Sequence, residues 1–132
     1  MKYVLTLPLL LAMHFMSDMA AAQTFMTEEE MLNTLPGAKL GGISSSDGKT
    51  PWEQTYGAPE NGKSGGKGKG LWDSNAAYSF TWKVKNGQWC EYWKNGKACW
   101  EAVLIDDTTI QMYKKGKKMS QVWKILEPAP GR

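Results

Sequence analysis

The chain has 132 residues, with sixteen Lys and Arg against thirteen Asp and Glu, a net charge of +3 and one histidine. That length suits one domain with a modest core. So mild a charge falls far short of the basic stripe a nucleic-acid binder carries, and no specific nucleic-acid partner is expected.

The first element in chain order is "MKYVLTLPLLLAMHFMSDMAAAQ", with a basic Lys2, an apolar stretch from Tyr3 to Met16 and small residues at Ala20, Ala21 and Ala22. This is the pattern of a secretory signal peptide over residues 1–22. The apolar stretch is shorter than the roughly 20 residues a membrane span needs, and no later segment approaches that length. A periplasmic or secreted domain over residues 23–132, with no transmembrane segment after cleavage, is therefore expected. No Cys follows the apolar stretch, which disfavours a lipoprotein. Cleavage removes Lys2 and Asp18, one charge of each sign, together with His14. Without an imidazole, Ser-His-Asp and Cys-His catalysis are excluded, and the commonest metal ligand is gone. The carboxylates show no calcium-loop spacing. No metal and no cofactor are expected.

"TEEEMLNTLPG" follows, with Thr27 placed to cap, Glu30 three residues later and Pro36-Gly37 as the stop. It predicts one short N-terminal helix. Beyond it the helical period disappears. Short runs are instead separated by Asp47-Gly48, Asn61-Gly62, Asn86-Gly87, Asn95-Gly96, Asp106-Asp107 and the "KKGKK" around Gly116. Turn signals at this spacing predict an all-β fold, an antiparallel meander of about eight strands forming a small barrel or a strongly curved sheet.

"GAPENGKS", Gly57 to Ser64, matches the phosphate-loop pattern, and "VLIDD" further on imitates its aspartate-ending strand. A phosphate loop requires a helix to begin at once, so that backbone N–H groups point at the phosphates. Glycines at 65, 66, 68 and 70 forbid that helix at about 1 kcal/mol each, so no nucleotide is expected. The segment from Asn61 to Gly70 reads as a flexible loop. Its functional alternative is a basic flap in which Lys63, Lys67 and Lys69 join Lys114, Lys115, Lys117 and Lys118, provided both loops share one end.

The clearest strand is Tyr78 to Val84, where Tyr78, Phe80, Trp82 and Val84 alternate with Ser79, Thr81 and Lys83. A two-residue turn at Asn86-Gly87 sets Val84 opposite Trp89 and Trp82 opposite Glu91. The same rule at Asn95-Gly96 sets Glu91 opposite Trp100 and Trp89 opposite Ala102. One inner face then holds Phe80, Trp82, Trp89, Trp93, Trp100 and Leu104, with Glu91 among the tryptophans. Cys90 and Cys99 share the other face, and in an exported chain a disulfide is the default. In this register they are diagonal neighbours about 7–8 Å apart, more than a disulfide spans. A four-residue turn from Trp93 to Gly96 would bring them directly opposite.

The leading helix, "GKTPWEQTY", a Gly-rich hairpin, "GQWCEYW" and the second cysteine in "KACW" resemble a group of small exported proteobacterial β proteins of unknown function. The shared feature is Trp89, Cys90 and Cys99; "YGAPENGKSGGKGKGLW" departs from it, where the family implies a tighter turn and a more regular strand. The resemblance implies a fold and a compartment, and no activity.

Three functions are open to such a chain. The first is a non-enzymatic binding or envelope-associated domain, holding a small molecule or glycan against Trp82, Trp89, Trp93 and Trp100 with Glu91 as the polar group. The second is an enzyme using Glu91 as an acid, although glycosidase chemistry needs a second carboxylate at about 5–9.5 Å and the pairing scheme supplies none. The third is a surface-contact module stacking sugars on exposed tryptophans such as Trp52 or Trp72.

Overall fold

The computed structural model describes residues 24–131, so the predicted signal segment lies outside the described residues. A seven-residue helix, α1 (Glu28–Thr34), precedes eight strands. They are β1 (Lys39–Ile43), β2 (Pro51–Tyr56), β3 (Gly65–Trp72), β4 (Ala76–Lys85), β5 (Gln88–Trp93), β6 (Gly96–Asp106), β7 (Thr109–Lys114) and β8 (Lys117–Glu127). Every strand pairs antiparallel with its sequence neighbour, and β1 pairs with β8, so the sheet closes as a barrel. Closure, not mere curvature, is the outcome of the eight-strand expectation. The capping box is present: the Glu30 N–H donates to Thr27 Oγ1 at 3.1 Å and the Thr27 N–H to Glu30 Oε1 at 3.4 Å. Among the described residues no helix is long and apolar enough to cross a membrane.

The glycine-lysine segment is the first correction. Residues 61–64 do lie in the β2–β3 connection, but the rest is no loop: residues 65–72 form β3, in register with β4 along its whole length. Gly66 faces Trp82, Gly68 faces Phe80 and Gly70 faces Tyr78. A Cβ on Gly68 would run into the Phe80 ring, and one on Gly70 into the Tyr78 ring. The inward glycines exist because the rings of β4 lie across them, and those rings replace the missing side chains. Gly42 repeats the device against Trp52, where a Cβ would fall 2.6 Å from the indole. The outward positions Lys67, Lys69, Ser79, Thr81 and Lys83 are exposed. These outward positions of β3 and β4 are polar, unlike the apolar band of a membrane barrel. The phosphate-loop match, Gly57 to Ser64, lies in the β2–β3 connection and leads into a strand.

The second correction concerns the β5–β6 register. Asn86 and Gly87 both have positive φ, 52° and 73°, as a two-residue hairpin turn requires, and Val84 faces Trp89 as expected. At the next hairpin the turn is Lys94-Asn95, with Trp93 paired to Gly96, so the four-residue alternative holds. Trp89 now faces Trp100 and Glu91 faces Ala98, two residues along β6 from the simpler expectation, so the inward face is kept. Cys90 stands directly opposite Cys99 with α-carbons 4.0 Å apart, and the two are joined by a disulfide. Leu104 also departs: it is 41% exposed, beside a register shift between Leu104 and Asp106 that turns the end of β6 off the inner layer. The β3–β4 turn is Asp73-Ser74, with φ of 52° and 63°, a pair not among the sequence's turn signals.

The two ends of the barrel differ. One is stoppered by the N-terminal segment, where Met26, Met31 and Leu35 are buried in the core and the Met26 N–H bonds the Ala102 carbonyl at 2.7 Å. The β2–β3, β4–β5 and β6–β7 connections lie at this end. The opposite end carries the β1–β2, β3–β4, β5–β6 and β7–β8 turns. Lys63 and the Lys114–Lys118 cluster therefore lie at opposite ends, and no joint basic flap forms.

Two outcomes follow for stability. Gly68→Ala should destabilise, because overpacking against a fixed ring costs about 1–3 kcal/mol, more than the about 0.4–1 kcal/mol gained by stiffening the unfolded chain. Urea unfolding of Gly68→Ala, Phe80→Ala and the double variant should show the glycine substitution tolerated once the ring is gone. Reduction of the Cys90–Cys99 bridge should cost about 2.7 kcal/mol by loop-closure entropy, read as a lower unfolding midpoint in reductant.

Candidate functional site

The barrel interior is divided into two storeys. On β2 the inward residues are Trp52, Gln54 and Tyr56; on β5 they are Trp89, Glu91 and Trp93. A cavity of about 420 Å³ opens at the unstoppered end and is lined by Trp52, Gln54, Glu91 and Trp93, but not by Tyr56 or Trp89. On β4 it reaches Tyr78 and not Phe80, and on β6 Trp100 and not Ala102. Gln54 and Glu91 thus form its floor. Its walls are indoles: Trp100 packs edge-on against Trp123 at 5.1 Å between centroids and against Trp93 at 6.1 Å, and Trp123 against Trp52 at 5.5 Å. Trp72, 40% exposed, stands at the mouth.

Below the floor the storey is solid. Trp82 and Trp89 stack at 4.5 Å with planes 12° apart, and Tyr56 meets Trp89 edge-on at 4.8 Å. Such pairs are worth about 0.5–1.5 kcal/mol each beyond their buried area. They hold Tyr56 and Trp89 with their polar atoms turned up to the floor.

Glu91 is 1% exposed, and its carboxylate is the meeting point of donors from Gln54, Tyr56 and Trp89, whereas the buried Trp82 Nε1 has no partner among the described residues. Gln54 Nε2 donates to Oε1 at 2.9 Å, while Tyr56 Oη donates to Oε2 at 2.7 Å and Trp89 Nε1 to Oε2 at 3.1 Å. Gln54 Nε2 also donates to Tyr56 Oη at 2.9 Å, and Tyr78 Oη donates to Gln54 Oε1 at 2.7 Å. Every proton in this chain points towards one acceptor-only terminus. Burial pushes the Glu91 carboxyl up to about 7, against the pull of the hydrogen bonds from Tyr56, Gln54 and Trp89. Burial first, and the charge of Glu91 second, push the hydroxyls of Tyr56 and Tyr78 up as well. Among the described residues no Lys or Arg nitrogen stands within salt-bridge distance of Glu91.

Of the residues singled out from sequence, the structure brings Glu91, Trp93 and Trp100 to the cavity and places Trp82 and Trp89 beneath it. Trp89 contributes through its Nε1 alone. Trp52 is 8% exposed, so it is a wall and not a surface platform; Trp72 keeps an exposed face. Gln54, Tyr56, Tyr78 and Trp123 were missed as site residues. The signal for the first two was in "PWEQTY", where Trp52, Gln54 and Tyr56 alternate and a glutamine interrupts an aromatic stripe as Glu91 interrupts its own.

The raised Glu91 carboxyl has a definite consequence for stability. The folded state holds this proton up to about pH 7, whereas the unfolded chain releases it near 4.5. Stability contributed by the bound proton is complete at low pH and is lost as pH rises between those values. The loss is about 3 kcal/mol. Glu91→Gln should therefore match the wild type at pH 4 and melt higher above pH 7. Equal shifts in melting temperature at both pH values would refute a buried, proton-holding Glu91.

Comparison with protein families, curated proteins and solved structures finds no match to this chain.

Proposed function

We propose that this protein is an exported, non-enzymatic binding barrel that holds a small molecule in its tryptophan-walled cavity. The observation that carries the reading is the open upper storey. An eight-stranded barrel has an interior that side chains can just fill or that can hold one small ligand. Here aromatic residues crowd the lower storey, while about 420 Å³ is left open above a hydrogen-bonded carboxylate. An apolar concavity with a few convergent polar groups and a perturbed titrating residue is the form of a ligand site. Export is supported by the pattern of residues 1–22 and by the Cys90–Cys99 bridge, since disulfides persist in oxidising compartments. A binding role is favoured over carboxylate catalysis because Glu91 is the one carboxylate among the cavity-lining residues. Hydrolysis of a glycosidic bond requires a partner carboxyl within about 5–9.5 Å of the first.

Native mass spectrometry of protein recovered from the periplasm under mild conditions tests this. A mass excess should accompany the folded protein, vanish on unfolding, and fall in Trp93→Ala, which opens the mouth without touching the lower storey. A bare wild-type mass, together with tryptophan emission indifferent to small aromatic solutes, would overturn the reading.

A further inference from the structure

We infer that the cavity is built for an organic cation: a protonated amine on a compact apolar body, its ammonium seated against Glu91 and its body between the indoles. The inference rests on the binding role proposed above and adds to it the charge of the ligand. Three features of the site converge on it. The first is an incomplete charge. The Glu91 carboxylate is removed from water, receives three neutral donors and has no cation of the protein beside it among the described residues. A buried carboxylate in that condition is costly, and the cost is relieved by a positive partner. The second is an open acceptor. Oε2 takes two donors, whereas Oε1 takes only that of Gln54, so a lone pair of Oε1 is left at the cavity floor. The third is the wall. Trp52, Trp93 and Trp123 surround the space above Glu91 together with Trp100, whose ring already carries the Lys114 ammonium at 5.6 Å, and indole faces attract cations at about 0.5–2 kcal/mol each.

The groups around Glu91 on its other sides do not compete for this role. Tyr56 from β2 and Tyr78 from β4 are hydroxyl donors whose ionisation is pushed up by burial. Gln54 and Trp89 do not titrate. Lys94, the one cationic residue lining the cavity, sits on the β5–β6 turn at the mouth and is exposed. An anionic ligand would meet Lys94 on entry and Glu91 at the bottom. For a cation the order reverses, and the deeper, desolvated charge is the stronger partner.

The probes are phenethylamine, which stays protonated from pH 6 to 8.5, the neutral 2-phenylethanol and the anionic phenylacetate, followed by tryptophan emission and calorimetry on the full-length mature protein. Phenethylamine should bind most tightly. Its affinity should rise about tenfold from pH 6 to pH 8.5, as Glu91 passes from mostly protonated to mostly ionised. The 2-phenylethanol affinity should be lower and flat with pH. In Glu91→Gln, phenethylamine should lose its pH dependence and fall to the level of 2-phenylethanol. Should that variant not fold, the wild-type pH profiles of the three probes decide the matter alone. Equal or tighter binding of 2-phenylethanol or phenylacetate overturns the cation assignment and leaves the binding role standing. Failure of all three to bind overturns the cation assignment and weighs against the binding role itself.

Discussion

The constraint on which this fold depends is volume. An eight-stranded barrel encloses little more space than its side chains can fill, and this chain brings seven tryptophans to it. Where an inward ring lies across the neighbouring strand, the residue beneath it has no room for a side chain. β3 answers that demand for β4, with Gly66, Gly68 and Gly70 beneath Trp82, Phe80 and Tyr78. Gly42 answers it for Trp52. The backbone of a glycine-rich strand is intrinsically a poor strand former. It is held here by a ladder with β4 along its whole length, by a ladder with β2 over residues 68–72, and by aromatic rings lying across it.

That same constraint explains where the sequence was legible and where it was not. Period-two alternation from Tyr78 to Val84 fixes both the strand and its inward face, because each residue there has the side chain its side of the sheet requires. In β3 the inward face is marked by missing side chains, so alternation of glycine with lysine looks like a linker until β4 is set beside it. The β5–β6 turn was ambiguous for a different reason. Asn-Gly is the strongest two-residue turn signal, yet Asn95-Gly96 is offset by one from the actual turn at Lys94-Asn95. The disulfide decides in favour of the offset, since only that register sets Cys90 opposite Cys99 within bridging distance. Glu91 was readable as an inward carboxylate under either register, because its face is set by alternation along β5. Alternation in "PWEQTY" marks Gln54 and Tyr56 as one face, but not their meeting with Glu91, since they come from the strand whose pairing depends on β3.

The interior therefore has one storey filled by its side chains and one whose walls leave space open. The lower storey uses Trp82, Trp89, Tyr56 and Phe80 to fill space and to aim an indole N–H and a phenol at Glu91. Those donors are held in place by stacking and not by the carboxylate they serve. A carboxylate so pre-solvated by fixed dipoles need not rearrange when its charge state or its neighbour changes, which is what preorganisation means for a binding site.

The ladder between β1 and β8 has a consequence in time. Seven of the eight ladders join strands adjacent in the chain, whereas β1 and β8 pair Lys39 with Glu127 from its two ends. Hairpins of the first kind close short loops and form early, while the last ladder pays the largest loop-closure entropy. The cavity wall combines Trp52 of β2 and Trp100 of β6 with Trp123 of β8, so it exists only once that ring is complete. Any occupant can recognise the finished barrel and none of its intermediates. Occupancy, on the binding role proposed above, would act as a latch on the seam, slowing the opening of the one ladder whose loss would turn a closed wall back into a sheet with two bare edges.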